Sequence, residues 1–352
     1  MPTRQRPLGV LLFSDYTVAG LVELAQLSEG LGYRDFWYTD VRFARECYIG
    51  LTAVALGTKK ILLGPGVTDQ FSRHPAITAS TMATLDEVSG GRALLGLGTG
   101  GTGFRELGIE QKLPVAAMRE TVEMFRALLR GETVTAQGKV IALAGGRLQF
   151  EPPRRAIPVW FATHGAQVTT LAGRIADGVM IANTLAPKAF DFYAGKLAEG
   201  MAKDGRPAGA VDLSLRVEAC IADDDEAAFE VMRRRVTTRV LAQYPHWDYL
   251  TELGIVLPPE LIAIAEQKNP KAAGEAAKWM PRAVVESMVL GGSVERCAQQ
   301  LAAALDPRVD SVTVRPHAVK GDTVANVLKR FAEEVYPRAE AIRAAMPVAA
   351  HG

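Results

Sequence analysis

The sequence predicts an α/β fold: a (β/α)8 TIM barrel with a helical insertion before the last strand. Eight short apolar runs start near residues 8, 35, 61, 93, 157, 178, 213 and 311, and helical spacing follows each. Alternation of that kind builds a parallel sheet wrapped by helices, and eight such units close a barrel. No repeat, low-complexity tract or linker cuts the 352 residues. The length exceeds the usual ~100–200 residues per domain, yet α/β barrels routinely run longer as one domain. One domain over residues 1–352 is therefore expected.

Leu8–Phe13 (LGVLLF) is a continuous apolar run of strand length, as a strand buried on both faces requires. Val18 to Leu31 carries Leu21, Leu24, Leu27 and Leu31 at helical spacing, and Gly32 stops it. Phe36–Thr39 and Ile61–Leu63 read as the second and third strands, with a helix over Tyr48–Leu56 between them. Ala76–Val88 is helical up to Gly90-Gly91, and Ala93–Leu97 is the fourth strand. Helix Ala116–Leu129 precedes a hairpin-like excursion between Gly131 and Pro153. Strands Ile157–Ala162, Gly178–Ala182 and Leu213–Ile221 alternate with helices Gln167–Ile175, Pro187–Lys203 and Asp225–Ala242. The stretch from Tyr244 to Gly292 is extra, a lid or insertion on the C-terminal face of the barrel. Helix Ser293–Leu305, strand Ser311–Arg315 and helix Thr323–Met346 complete the chain.

Composition narrows the classes. The chain is 48% hydrophobic and 22% charged, with 40 Lys and Arg against 39 Asp and Glu. That balance suits a folded protein and gives no electrostatic reason for nucleic acid or a membrane surface as partner. Cys47, Cys220 and Cys297 are scattered, with no metal spacing, and read as small core residues in a reducing compartment. Met1–Pro7 and the short run after it are too brief for a signal peptide, and no apolar stretch approaches ~18 residues. A cytoplasmic protein with no metal site is expected.

The candidate chemistry sits at strand ends, the catalytic face of a barrel. Leu63–Ser80 puts Gly64-Pro65-Gly66, Thr68, Asp69, Arg73 and His74 where the third strand ends. Asp40 closes the second strand; it is placed to face the barrel mouth or to cap a loop. After the fourth strand comes Gly98-Thr99-Gly100-Gly101, whose glycines let backbone amides approach a phosphate. A Rossmann or methyltransferase turn and a plain tight βα turn both fit that string. Thr163-His164-Gly165-Ala166-Gln167 opens a helix whose free amides make either a phosphate cradle or an ordinary cap. Asn183 ends the sixth strand, and Arg315 and His317 the eighth. The short runs Arg233-Arg234-Arg235 and Lys59-Lys60 read as solvated faces.

These residues also carry a resemblance. GPGVT…RHPAITASTMATLDEVSGGRALLGLGTG (Gly64–Gly100), GFRELGIE, AMRETVEMFRALLRGE and IPVWFATHGAQ…LAGRIADGVMIAN (Ile157–Asn183) resemble the luciferase-like flavin and deazaflavin oxidoreductases. The branch most similar is that of the methylenetetrahydromethanopterin reductases. The match runs in family order over about half the chain and fades after residue 184. It implies a (β/α)8 barrel and a non-prolyl cis peptide at Gly66-Val67, with Thr68 beside it, behind the isoalloxazine. It further implies that Asp40, Gly98, Thr99 and Gly100 line the ring pocket, and that Thr163, His164, Gly165, Ala166, Gln167 and Asn183 lie near the ribityl phosphate.

Two departures from the family bear on function. Deazaflavin members usually place an acid where this chain has Gly100-Gly101, and often another where it has Leu11-Leu12. Asp40 is kept, but the histidine that often follows it is Val41. A reduced-flavin monooxygenase asks less of the protein, which shields the adduct and orients substrate. The resemblance therefore implies, first, an FMN-dependent monooxygenase of a small organic molecule, using reduced FMN from a partner flavin reductase and O2. A hydride transferase using deazaflavin coenzyme F420 is the alternative, and a non-catalytic flavin-binding barrel a third. His74, His164 and His317 are the candidate acids or bases, since histidine titrates nearest neutrality. A homodimer or larger homo-oligomer is expected. Trp247, Tyr249, Leu250 and Met280 of the insertion suggest an apolar lid or a packed dimer surface.

Overall fold

A computed structural model describes residues 6–101, 103–182, 184–245, 247, 250–251, 254–267 and 272–346. The strands are β1 (Leu8–Leu12), β2 (Asp35–Tyr38), β3 (Leu62–Pro65), β4 (Leu95–Leu97), β5 (Val134–Gln137), β6 (Ala142–Gly146), β7 (Val159–Thr163), β8 (Gly178–Ala182), β9 (Asp212–Ile221), β10 (Leu290–Gly292) and β11 (Ser311–His317). The main sheet runs β3-β2-β1-β11-β9-β8-β7-β4, with β10 beside β9. Parallel bridges Leu63–Ala93 and Thr68–Leu97 join the two ends of that order. This is the order of a (β/α)8 barrel, with the eight expected strands in the expected sequence.

Burial on both faces is complete in β1, β2 and β8, every residue of which is buried. Two glycines are required where β3 meets β4. A Cβ on Gly64 would run into the Leu94 carbonyl oxygen, and one on Gly96 into that of Pro65. The hairpin β5–β6 is the expected excursion, fastened by Glu120, whose carboxylate accepts from the amides of Lys139, Val140 and Ile141 at 2.8–3.1 Å.

Local chemistry sets the helix boundaries. Thr17 caps α1 (Val18–Gly30) by accepting from Gly20, and Asp224 caps α7 (Asp225–Ala242) by accepting from Glu226 and Ala227. Between them lie α2 (Cys47–Gly57), α3 (Pro75–Ser89), α4 (Pro114–Leu129), α5 (Ala166–Ile175) and α6 (Pro187–Lys203). Helix α3 ends on Gly90 at φ 70°, a left-handed position suited to glycine.

The chain forms two compact units. One comprises Leu8–Met180 and Gly195–Ser214. Its inner cluster is Leu11, Trp37, Leu94, Trp160 and Met180, with Val67 and Ala162 packed against it. The second comprises Met1–Pro7, Ile181–Ala194 and Leu215–Gly352. Its core joins α7 to the insertion: Phe229, Met232, Val236 and Val240 pack with Leu261, Val285 and Met288.

That second core corrects the reading of the insertion. Leu250 is 1% exposed and Met280 3%, both inside this cluster. Trp247 packs against it and donates its ring N–H to the Val240 carbonyl at 2.8 Å. These side chains fill the insertion's own interior and present no apolar lid or surface; Tyr249 lies outside the described residues. The insertion returns through β10, a strand too short and glycine-rich for the sequence to announce. The three cysteines are buried, as expected of small core residues. Among the described residues, no helix is long and apolar enough to cross a membrane.

Candidate functional site

The site of the first unit is built where β2, β3 and β4 end. The Gly66-Val67 peptide is cis, as the resemblance implied. Gly66 donates its amide to Tyr38 O at 2.7 Å, Thr68 donates to Gly96 O at 3.0 Å, and Gly98 donates to Thr68 O at 3.0 Å. The bulging chain is thus pinned to both neighbouring strands. Glycine is needed on each side of it. A Cβ on Gly66 would lie 2.7 Å from Trp37 Cβ, and one on Gly98 2.6 Å from Val67 Cγ2.

Asp40 locks this arrangement. Its Oδ2 accepts from Thr68 Oγ1 at 2.7 Å and from Arg73 Nε at 3.3 Å, and its side chain is only 13% exposed. Arg73 also donates to Glu46, and its guanidinium stacks 4.6 Å over the Tyr48 ring. Asp69 organises the next turn by accepting from the amides of Phe71 and Ser72, the Ser72 hydroxyl and Arg42. Arg42 in turn covers the Phe104 ring at 4.2 Å. Between Thr68 and Asp69 on one side and Phe71 on the other sits Gln70. It is 5% exposed, and neither amide atom of its side chain has a hydrogen-bond partner. Sequence reasoning passed over this residue.

After β4, Gly100 takes φ +82°, where a Cβ would strike the Phe104 ring, and Thr99 O accepts from Gln111. The next helix begins only at Pro114, so no helix N-terminus meets the glycine string. The string opens a long βα loop, neither the tight βα turn expected nor a Rossmann or methyltransferase turn. At the end of β7, Thr163 Oγ1 accepts from Gly165 N at 3.1 Å, and Gly165 is the N-cap of α5. No side chain caps that helix, so the amides of Ala166, Gln167 and Val168 are its open donors. The Thr163–Gln167 segment can hold a phosphate. Asn183 lies outside the described residues.

These features fit a flavin-type cofactor. Gly66 and Gly98 let the cis bulge pack closely against β2 and β4, Gln70 keeps a buried donor and acceptor beside it, and α5 leaves amides open to a phosphate. A metal fits less well: among the described residues no cluster of three or more His, Cys, Asp or Glu could hold one.

The three histidines separate clearly. His74 is the N-cap of α3; its Nδ1 accepts from Ala76 N at 3.2 Å and its Nε2 meets Ala142 O at 3.0 Å. Both ring nitrogens meet backbone groups, so His74 fastens a helix and the hairpin. His164 is half-buried between Thr163 and the α5 cap. His317, in the second unit, ends β11 with Nε2 2.8 Å from Glu218 Oε2.

Glu218 is the feature the sequence hid. It is 1% exposed, on β9. Besides His317 it meets Arg235 Nε at 2.7 Å, Arg239 Nη1 at 3.3 Å, Arg216 Nη2 at 3.5 Å and Arg315 Nη1 at 3.6 Å. Burial alone would raise its pKa, but the hydrogen bond from His317 and the charges of Arg315, Arg235 and Arg216 hold the carboxyl well below the ordinary range. Burial pushes the His317 imidazole below its usual value, against the pull of Glu218. An ionised Glu218 beside a neutral imidazole places the proton on Nε2, donated to the carboxylate. Arg235, expected on a solvated face, is therefore drawn inward by a buried charge.

Comparison with known proteins bears on this geometry. A family model described as luciferase-like monooxygenase matches residues 7–311. The chain is 37% identical over 212 residues to a 5,10-methylenetetrahydromethanopterin reductase of Methanolobus tindarius, covering 60% of this chain and 64% of that one. The match therefore spans a little under two thirds of that relative's length. It is 32% identical over 207 residues to an F420-dependent glucose-6-phosphate dehydrogenase of Nocardia farcinica, covering 56% of this chain and 60% of that one. The solved F420-dependent tetrahydromethanopterin reductase from Methanopyrus kandleri superposes with a TM-score of 0.83 and 26% identity, over 95% of this chain and 99% of that one.

Proposed function

The chain belongs to the luciferase-like monooxygenase family, and from that premise we propose that it is an oxidoreductase using deazaflavin coenzyme F420 for hydride transfer with a small organic substrate. The observation that carries this is the likeness to the F420-dependent reductase of Methanopyrus kandleri along 95% of the chain. The glucose-6-phosphate dehydrogenase of Nocardia farcinica and the reductase of Methanopyrus kandleri differ in substrate but are both named as F420-dependent, which supports the cofactor more than any one substrate.

When bound, the deazaflavin supplies a carbon that accepts or gives a hydride. The chain's own residues do the rest. Gly66, Val67 and Gly98 form the surface behind the ring, while Asp40, held by Thr68 and Arg73, fixes the bulge against the end of β2. Thr99 and Gly100 continue the pocket wall, and the amides of α5 take a phosphate. His317, in the second unit, has its Nε2 2.8 Å from Glu218 Oε2. Glu218 orients it.

Reduced FMN and O2, the sequence's first expectation, is the second reading. The family's description as monooxygenases favours it, as do the glycines where deazaflavin members usually carry an acid. The test is anaerobic titration of the purified protein with F420 and with FMN. Tighter binding of F420 supports the proposal, and FMN binding without F420 binding moves the reading to the monooxygenase.

A further inference from the structure

Gln70 is buried beside the bulge with both polar atoms of its side chain left over. Thr68 gives its hydroxyl to Asp40, and Asp69 is saturated by two backbone amides, the Ser72 hydroxyl and Arg42. Gln70 stands next to both, 5% exposed, with donor and acceptor unmatched. A buried, unpaired carboxamide is unfavourable, and leucine or methionine would occupy similar space without that penalty. Its position is defined on both sides. Thr68 is paired with the end of β4, and Asp69 is tied to Arg42 beyond β2, so Gln70 is fixed where the three strand ends meet.

A carboxamide presents a C=O and an N–H2 side by side. Its natural complement is a planar group with an N–H next to a carbonyl, the imide edge of a pyrimidinedione. We infer that Gln70 is a specificity-determining residue that hydrogen-bonds the imide edge of the bound ring, accepting from the ring N–H through Oε1 and donating to the adjacent carbonyl through Nε2. This rests on the proposed cofactor site. It goes further in naming the atoms that tell an imide-bearing ring from one with that edge blocked.

The test is binding of the deazaflavin ring with a ribityl chain, and of the same ring methylated at the imide nitrogen, to unmodified protein and to Gln70→Leu. The methylated ring should bind unmodified protein about 10- to 100-fold more weakly than the parent ring. Q70L should lose affinity for the parent ring by about the same factor, and should hold both rings equally to within about twofold. Its ligand-free melting temperature should equal or exceed that of unmodified protein, because the unpaired amide is gone. Gln70→Met serves the same purpose if the leucine variant does not fold. Parent-ring affinity unchanged in the variant, with discrimination against the methylated ring intact, overturns the inference. Failure of unmodified protein to bind any such ring defeats instead the cofactor reading on which it rests.

Discussion

Asp40 and Thr68 are joined at 2.7 Å across the ends of two adjacent strands, and Arg73 holds the same carboxylate oxygen at 3.3 Å. The residue that closes β2 therefore sets the position of the chain just beyond the cis peptide. Asp40→Ala would leave the Thr68 hydroxyl without its acceptor and Arg73 with Glu46 alone. Loss of about 1–3 kcal/mol of stability is expected, with cofactor affinity down about tenfold or more. Asp40→Asn should recover part of both. Thermal melting and cofactor titration check this, and unchanged binding in the alanine variant would remove Asp40 from the site.

Gly98 and Gly96 make a paired test of the ring surface. A methyl on Gly98 would meet Val67 Cγ2 at 2.6 Å, a side chain that can shift, whereas one on Gly96 would meet the fixed Pro65 carbonyl. Gly98→Ala should fold with a penalty of about 1–3 kcal/mol and weakened cofactor binding. Gly96→Ala should be the more destabilised. Urea unfolding with binding isotherms separates the two.

Glu218 is a lone buried carboxylate among guanidiniums, so Glu218→Ala should destabilise by about 3–5 kcal/mol, as removing one partner of a buried ion pair does. Glu218→Gln keeps hydrogen bonding and should fall between. Equal stability of the alanine variant in chemical denaturation would contradict the assignment of Glu218 as the centre of this cluster.

The same pair gives a pH dependence. His317 has its pKa lowered in the folded chain, so the unfolded chain takes up the proton first as pH falls below about 6.5. Stability from the neutral imidazole is complete above that value and is lost as pH falls toward the folded pKa. Glu218, also lowered, adds a second loss at more acid pH, below about 4.3. Melting temperature should decline from about pH 6.5 downward in unmodified protein. In His317→Gln, which preserves the donor to Glu218, the upper part of that decline should disappear.

How much of this the sequence revealed follows from what each residue answers to. The strands were legible because burial on both faces demands continuous apolar runs, and the β3 turn was legible because Gly64, Pro65 and Gly66 mark a backbone that ordinary residues cannot follow. Glu218 and its arginines were not. Arg216 and Glu218 sit within a mainly apolar run, and their partners Arg235, Arg239, Arg315 and His317 come from later elements, so no local pattern joins them. Charge runs are usually solvated, and Arg235 is drawn inward only by a carboxylate seventeen residues earlier. His74 looked chemical because it sits at a strand end. Its proline neighbour was the better clue, since a residue before proline at the first helical turn is a cap. Gln70 carried no pattern at all; only its burial without partners sets it apart.

The deazaflavin assignment is tested most directly by the cofactor preference of the purified chain. Coenzyme F420 should bind at micromolar concentration and more tightly than FMN. The reduced deazaflavin should be oxidised by an organic hydride acceptor rather than by O2. Binding of FMN alone, with O2 consumed by the reduced flavin and substrate, would contradict the deazaflavin assignment, and binding of neither would contradict the oxidoreductase reading itself.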